Sequence, residues 1–215
     1  MKYSVLYFNG KNAYVEIESP ILDFTGDHTI GAWYRPQALN RGGQFILDKI
    51  GTSYSSIILI MRSNNALSYQ IVSSVSKSDV EINSDPVGTE WHFLVGVLAG
   101  AKAQFYLDGL LVGKQTLDGE IESSTKWSIG RGLWDNTYRY ANGIVANVYL
   151  YNRALSPLEV WQLYQGKTIL DGLVLWLMPQ REFKGTWWDR SGYMNHGTIY
   201  NATPSDEKFL LPPLR

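Results

Sequence analysis

Apolar residues recur along the chain in short stretches, many of them alternating with polar residues, at spacings of roughly 8–15 residues. In the stretch YVEI, Tyr14 and Glu16 fall on one face of an extended chain, and Val15 and Ile17 fall on the other. Runs of Gly, Asn, Ser and Asp separate the stretches and favour turns. This pattern predicts an all-β protein, built as a sandwich or a barrel.

The strongest turn signal lies in the stretch FYLDGLLVG, residues 105–113. Two apolar runs flank Asp108 and Gly109, and an Asp-Gly pair in this setting is typical of a β-hairpin. We predict that this hairpin is part of the scaffold and that recognition is carried by other loops.

One stretch, SPLEVWQLYQG, has helix signals at both ends. Ser156 stands at the N-cap, Pro157 at the first helical position and Glu159 at the third, which is the pattern of a capping box. Gly166 stands where a helix-ending glycine belongs. We expect a short helix that lies across one end of the sandwich.

Several stretches together resemble a laminin-G-like domain of the concanavalin A-like lectin/glucanase superfamily. They are, in order, LYFNGKNAYVEIE, HTIGAWYRP, EWHFLVGVL, FYLDGLLVG, SIGRG and GIVANVYLYNRALSPLEVWQLYQ. The resemblance covers residues 3–166, and its most specific part is YLYNRALSPLEV. It implies an antiparallel two-sheet jelly-roll sandwich (concanavalin A-like) with one short C-terminal helix. We therefore assign residues 1–166 to a laminin-G-like jelly-roll domain.

Residues 167–215 form a C-terminal extension that resembles the start of a second such module. The motif that carries this resemblance consists of Asp189, Ser191, Gly192, Asn195, His196 and Gly197. The stretch LVLWL within the extension is too apolar to stand exposed to water. Either it packs on the first domain, which we favour, or it pairs with another subunit and forms a homo-oligomer. A third alternative is a second domain that is cut short.

Composition narrows the classes of partner. Lys and Arg number 19 against 20 Asp and Glu, for a formal net charge of -1, so we do not expect nucleic acid as a partner. The chain has no Cys, which excludes disulfides, thiolate zinc sites and a Cys nucleophile. No apolar run is long enough to span a bilayer, so membrane insertion is not expected.

The first ten residues, MKYSVLYFNG, lack the long apolar region of a signal peptide. Three alternatives follow: no export by the usual route, a leader already removed, or release by another path such as assembly into a virion. We expect an extracellular or virion-surface location.

The sequence does not predict catalysis. Some members of the superfamily hydrolyse glycosides with a Glu-x-Asp-x-x-Glu motif on one strand, and this chain has no such motif. Its nearest acidic cluster, Asp118, Glu120 and Glu122, has the composition of a solvated loop. The three His residues lack metal-binding spacing, and we expect His196 to stabilise a turn through a hydrogen bond.

The resemblance implies a structural Ca²⁺ near the chain ends, with Asn9 and Asp27 as metal ligands. Calcium requires several oxygen ligands. Ala146 and Asn147 stand where the family usually has acidic residues, which weakens this interpretation. Alternatively, Asp27 belongs to a turn and Asn9 to an Asn-Gly turn. Ca²⁺ is thus an open alternative as a cofactor.

The best candidate for ligand binding is the aromatic and polar stretch GRGLWDNTYRYANG. Flat rings stack on the C–H faces of sugars, while amides and carboxylates bind hydroxyl groups. The candidate residues are Trp134, Asp135, Asn136, Tyr138, Arg139 and Tyr140. The alternative is that these rings only cover the mouth of the sandwich. Further candidates are Trp187, Trp188 and Asp189 together, and the polar loop around Tyr54.

Three functional hypotheses follow. The leading one is a non-enzymatic adhesion or recognition module that binds a glycan or a protein surface. The second is a structural assembly protein, such as a virion surface or appendage component. The third, a degenerate glycoside hydrolase, is disfavoured by the missing catalytic motif.

Overall fold

The alternating stretches form strands in a computed structural model that describes residues 4–52, 54–73, 79–134, 136–207 and 209. The strands are, in chain order, β1 (Val5–Asn9), β2 (Tyr14–Glu18), β3 (His28–Pro36), β4 (Gln44–Ile50), β5 (Ser55–Met61), β6 (Ala66–Ile71), β7 (Val80–Pro86), β8 (His92–Ala99), β9 (Lys102–Leu107), β10 (Leu110–Thr116), β11 (Lys126–Ile129), β12 (Arg131–Trp134), β13 (Thr137–Tyr140), β14 (Asn142–Tyr151), β15 (Leu173–Leu177), β16 (Thr186–Trp187), β17 (Gly197–Tyr200) and β18 (Thr203–Ser205). The helix α1 spans Pro157–Tyr164, and a single 3-10 turn spans Pro20–Leu22.

Within the described residues, the strands form two eight-stranded antiparallel sheets and a separate two-stranded ribbon. The first sheet has the order β10-β9-β8-β3-β14-β1-β18, and β15 also pairs with β14. The second sheet has the order β16-β17-β2-β11-β4-β5-β6-β7. The ribbon consists of β12 and β13. This arrangement confirms the expected all-β, two-sheet jelly-roll sandwich.

The core lies between the two sheets, and strand alternation determines which residues enter it. Val15 and Ile17 are buried there, on the face of β2 that the sequence predicts. On β5, Ile57 and Leu59 face this core, whereas the alternate residue Ile58 faces outward and belongs to a separate cluster. The outer face of the second sheet therefore carries a separate apolar cluster, and the ribbon packs against it.

The Asp-Gly hairpin joins β9 to β10, as the sequence predicts. Asp108 and Gly109 both have positive φ angles, which two-residue hairpins of this hand require. The Asp108 carboxylate also accepts hydrogen bonds from the Phe93 N–H (2.8 Å) and the His92 Nδ1 (2.9 Å). The turn is thereby fixed to the beginning of β8.

The capping box of the helix is confirmed. The Ser156 hydroxyl accepts from the Glu159 N–H, and the Glu159 carboxylate accepts from the Ser156 N–H at 2.7 Å. The sequence led us to expect this helix across one end of the sandwich. The structure instead places it on the outer face of the first sheet. Tyr164 stacks there on Trp33 at 5.7 Å between ring centroids, because the outer side chains of β3 and β8 are aromatic and need cover.

Residues 167–207 contribute strands to both sheets. β15 pairs with β14, β17 pairs with β2, and β18 pairs with β1. Val174, Leu175 and Leu177 of the LVLWL stretch are buried in the core of this chain. The division into units at residue 166, and a homo-oligomer formed through the C-terminal segment, stay predictions. None of the helical segments in the described part of the chain has the length and apolar character to cross a membrane.

Candidate functional site

The stretch predicted as a binding loop is the ribbon, in which Trp134 pairs with Thr137. Asn136 lies at its tip with a φ of 53°, a conformation that Asn tolerates better than most residues. Asp135 lies outside the described residues. The ribbon packs over β4, on the outer face of the second sheet.

Close packing anchors the ribbon at Gly132. A Cβ atom at Gly132 would lie 1.9 Å from Cδ1 of Phe45, so only glycine allows this approach. Trp134 packs against an outer apolar cluster of Phe45, Ile58 and Ile60, yet its side chain stays partly exposed. The indole is thus held from one side and accessible from another.

An open groove of about 500 Å³ lies beside this indole, and we call it the Trp134 groove. Trp134 and Arg139 line it from the ribbon. Its remaining lining residues come from the second sheet and nearby turns: Gly42, Gly43, Phe45, Ile60, Arg62, Ser63, Asn64, Glu81 and Asn83. The groove therefore combines a partly exposed indole with several polar groups.

Ion pairs and hydrogen bonds among the polar side chains of the groove fix their orientation. Arg62 forms an ion pair with Glu81, and Glu81 also accepts from the Asn83 amide at 3.0 Å. Asn83 in turn accepts from the Ser68 hydroxyl. Burial alone would raise the pKa of Glu81, but the hydrogen bonds from Arg62 and Asn83 lower it, so this carboxylate is ionised at neutral pH. Donors and acceptors of fixed orientation thus face the groove.

A second, smaller pocket of about 280 Å³ adjoins the Trp134 groove, and we call it the arginine pocket. It is lined by Gly10, Arg41, Gly42, Gly43, Tyr138, Arg139 and Tyr140. Gly42, Gly43 and Arg139 line both cavities. Four of the predicted ligand residues, Trp134, Tyr138, Arg139 and Tyr140, are therefore brought together around two adjoining cavities, and Asn136 is exposed at the ribbon tip.

The other face of the ribbon is fixed by Arg131. Its guanidinium carbon lies 3.6 Å from the ring centroid of Tyr14 and 4.4 Å from that of Tyr138. The same guanidinium forms a 2.9 Å ion pair with Glu16. Cation–π contacts of this kind orient Tyr138, which is 44% exposed, at the edge of the arginine pocket.

Sequence reasoning missed the half of the groove that lies on the second sheet, namely Arg62, Glu81 and Asn83. These residues come from two segments that approach only because β5, β6 and β7 pair in register. One signal was present: Glu81 and Asn83 alternate with the buried residues Val80 and Ile82, which places both polar side chains on the outer face.

The second sequence candidate is divided by the fold. Trp187 is fully buried and donates from Nε1 to the Met178 carbonyl at 2.8 Å. Trp188 is 45% exposed and lines a separate cavity of about 470 Å³ with Arg181 and Arg190. We call this the Trp188 cavity.

The Asp189 turn beside Trp188 is structural. Its carboxylate accepts from the N–H groups of Trp176, Ser191 and Asn195. His196 accepts from the Asp189 N–H through Nδ1 at 3.0 Å. The expectation that His196 stabilises a turn is confirmed. Of the third candidate loop, Tyr54 is 46% exposed, while Ser53 lies outside the described residues.

Asn9 and Asp27 are not brought together. Asn9 ends β1 beside the last residues of β3, whereas Asp27 precedes the first residue of β3, so roughly 25 Å of strand separates them. Asn9 accepts from the backbone N–H groups of residues 11–13, and Asp27 accepts from the Gly100 N–H at 2.7 Å. One Ca²⁺ ion therefore cannot bind both residues, and both stabilise turns instead.

Residues 117–125, which contain the acidic cluster, connect β10 to β11 as a loop. Glu122 accepts from the Thr52 N–H (3.0 Å) and hydroxyl (2.8 Å), so its carboxylate stabilises a neighbouring loop. Over the described part of the chain, no three side chains of His, Asp or Glu form a cluster that could hold a metal ion.

Comparison with known proteins shows to which family this chain belongs. Residues 9–161 match a family model described as the concanavalin A-like lectin/glucanases superfamily (Laminin_G_3), which covers more than half of the chain. This chain belongs to that family. Curated proteins give no significant match.

Solved structures confirm the fold. A candidate carbohydrate-binding protein from Bacteroides ovatus is 15% identical with a TM-score of 0.74, and the match covers 94% of this chain and 60% of that one. Laminin α1 LG4-5 from mouse is 14% identical with a TM-score of 0.56, covering 73% and 44%. Domain 4 of the arabinanase AbnA from Geobacillus stearothermophilus, in complex with arabinotriose, is 16% identical with a TM-score of 0.55, covering 66% and 68%.

The family and these structures together define the fold class of this chain. This chain spans only 60% of the Bacteroides ovatus chain, so the similarity concerns a part of that protein.

Proposed function

We propose that this protein is a non-enzymatic carbohydrate-binding module and that its ligand binds in the Trp134 groove. The observation that carries the proposal is the convergence of an accessible indole with a fixed polar network in one open groove. An aromatic ring offers a face to sugar C–H groups, and fixed amide, carboxylate and guanidinium groups bind sugar hydroxyls.

Two of the similar structures support the same ligand class. One is a candidate carbohydrate-binding protein, and the other is a domain in complex with arabinotriose. The groove holds about 500 Å³, within the range of sites for small ligands. An oligosaccharide of a few residues is the ligand we expect.

The test is a glycan array followed by calorimetric titration of the strongest oligosaccharide. We expect Trp134→Ala to weaken binding at least tenfold, because truncation of a central Trp in an interface costs about 2 kcal/mol or more. Trp188→Ala is the matched control: it removes another partly exposed indole, in the separate Trp188 cavity, and should leave the affinity unchanged. Thermal unfolding confirms that both variants are folded.

Three results would contradict this proposal. A folded protein that binds no glycan on the array would exclude a carbohydrate-binding role. Loss of binding in Trp188→Ala, with binding retained in Trp134→Ala, would move the site to the Trp188 cavity. Hydrolysis of a bound oligosaccharide during the titration would contradict the non-enzymatic role.

A structural assembly protein, such as a virion surface or appendage component, is the second candidate. It is favoured by Leu110, Leu111 and Val112, which are exposed in a row on β10 at the edge of the first sheet. Light scattering at increasing concentration tests it. A monomer at all concentrations would exclude self-assembly, whereas oligomers that dissociate in Leu111→Lys would support it.

The proposal includes an extracellular or particle-surface location, where a glycan-binding module would meet its ligand. Fractionation of the source cells with an antibody to the protein tests this part. Detection in the medium, on the cell surface or on particles would agree with it, and detection confined to the cytoplasm would contradict it.

A further inference from the structure

The arginine pocket beside the Trp134 groove has an unusual balance of charge. Arg41 and Arg139 line it with the rings of Tyr138 and Tyr140, and none of its lining residues is acidic. Arg62 of the adjoining groove and Arg131, which lies against Tyr138, are neutralised by their ion pairs with Glu81 and Glu16. The pocket therefore concentrates two positive charges at one end of the groove.

Neither cation has a carboxylate partner within the described part of the chain. Arg41 donates from Nη2 to the Gly10 carbonyl at 3.3 Å, a long hydrogen bond that leaves most of its donors free. The Arg139 guanidinium forms no hydrogen bond and no ion pair with any described residue. Guanidinium groups bind carboxylates and sulfates with two parallel hydrogen bonds, so this pair is suited to an anion.

Glycines line the arginine pocket beside both guanidinium groups. A Cβ atom at Gly10 would lie 3.0 Å from Nη1 of Arg41, and one at Gly43 would lie 3.7 Å from Nη1 of Arg139. Gly42 has no atom within 4 Å of the corresponding position. Side chains at Gly10 and Gly43 would therefore approach the two guanidinium groups, and Gly42 leaves open space in the lining of the pocket.

The pocket is continuous with the groove through Gly42, Gly43 and Arg139, which line both cavities. A saccharide that stacks on Trp134 can therefore extend its next ring or a substituent toward Arg41. From this geometry we infer that the ligand is an anionic saccharide, and that its carboxylate or sulfate group binds between Arg41 and Arg139. This inference rests on the proposed function and specifies the ligand class of the same site.

The experiment compares matched glycans on one array. Oligosaccharides of galactose, glucose, mannose, arabinose and xylose are printed beside uronic-acid and sulfated counterparts of similar length. We expect the acidic members to bind at least tenfold more tightly than their neutral counterparts, because two charge-assisted hydrogen bonds contribute roughly that factor at an exposed site. The preference should shrink between about 0.05 M and 0.5 M salt, as screening predicts. The uronate and sulfate arms identify which anionic group binds.

Arginine variants test which side chains cause the preference for acidic glycans. Arg41→Gln and Arg139→Gln should each reduce the ratio of acidic to neutral affinity by roughly threefold, which is about half of the preference in free energy. Arg190→Gln makes the same change of net charge in the Trp188 cavity and should keep the ratio. All three side chains are exposed, and thermal unfolding confirms that the variants are folded.

The outcomes separate this inference from the proposed function. Equal binding of acidic and neutral glycans would overturn the inference alone and leave the carbohydrate-binding role intact. An acidic preference that persists in both Arg41→Gln and Arg139→Gln, or is lost in Arg190→Gln, would also overturn it. An array without any bound glycan would overturn both.

Discussion

His28 shows how a single buried side chain couples this fold to pH. Its Nδ1 lies 2.7 Å from the Gly26 carbonyl and its Nε2 lies 2.8 Å from the Tyr69 hydroxyl, so the neutral ring has a partner at each nitrogen. Burial, together with the nearby charge of Lys49, lowers the pKa of His28 from 6.5 to about 4. The folded protein therefore resists protonation at pH values where the unfolded chain accepts a proton.

We expect acid to destabilise the protein through this group. The folded-state pKa lies below the unfolded value, so the contribution is complete above pH 6.5 and is lost as the pH falls toward about 4. The loss in the free energy of unfolding is about 3 kcal/mol, measured by urea denaturation at a series of pH values. His28→Gln should lose this part of the pH dependence, although it is less stable at pH 7. An imidazole signal of His28 that titrates near 6.5 would contradict the assignment.

Residue chemistry made part of the candidate site predictable. Aromatic and polar composition alone marks four residues that are close in sequence, and the pairing of β12 with β13 brings them together: Trp134, Tyr138, Arg139 and Tyr140. Arg62 could not be found in this way, because its place in the groove depends on pairing between strands. The separation of Asn9 from Asp27 could not be predicted for a related reason: a motif implies residue types, but strand direction determines whether two residues meet.

At the scale of elements, the position of the ribbon depends on Gly132. Alanine there would place Cβ 1.9 Å from the Phe45 ring, so the ribbon would have to move off β4 and displace Trp134. We expect Gly132→Ala to weaken glycan binding more than tenfold and to lower stability by about 1–3 kcal/mol, the usual cost of overpacking. Calorimetric titration and urea denaturation measure the two effects.

Gly26→Ala is the matched control for this glycine. A Cβ atom at Gly26 meets nothing within 4 Å, so binding and stability should change little. If Gly132→Ala retained full affinity, the ribbon would not position the site.

The helix depends on its capping box. Arg153 holds the pKa of Glu159 down to about 2, so the carboxylate that accepts from the Ser156 N–H stays ionised over the whole useful pH range. We expect Ser156→Ala to cost about 1 kcal/mol in the free energy of unfolding, measured with urea. Leu158→Ala, at an exposed position of the same helix, should stay within about 0.5 kcal/mol. Equal effects of the two variants would show that the cap does not stabilise this helix.

Element types were more predictable than element positions. The capping box and the Asp108–Gly109 hairpin are local signals, and the structure confirms both. The location of the helix was not predictable, because it depends on which sheet face remains apolar after the strands pair. Trp33 and Phe93 face outward there, and nothing in the helix sequence indicates that surface.

At the scale of the molecule, the C-terminal strands share the core with the rest of the sandwich. Trp187 is fully buried in the main core, whereas its neighbour Trp188 is 45% exposed. We expect Trp187→Ala to lower the free energy of unfolding by about 3–5 kcal/mol, and Trp188→Ala to change it by less than about 1 kcal/mol.

Unfolding of the whole chain should be a single transition, because residues 173–187 pack into the same core as the other strands. Calorimetry measures this directly. Two separate transitions, with Trp187→Ala affecting only one of them, would indicate that residues 167–215 form an independent unit.

The most direct test of the proposed site is a titration followed by nuclear magnetic resonance of the indole N–H groups. The chain has eight Trp residues, and Trp134→Phe and Trp188→Phe assign the two relevant signals. On addition of the oligosaccharide that binds most strongly to the array, we expect the Trp134 signal to shift to saturation while the Trp188 signal stays in place. A Trp134 signal that is unchanged by a saturating oligosaccharide would contradict binding in the Trp134 groove.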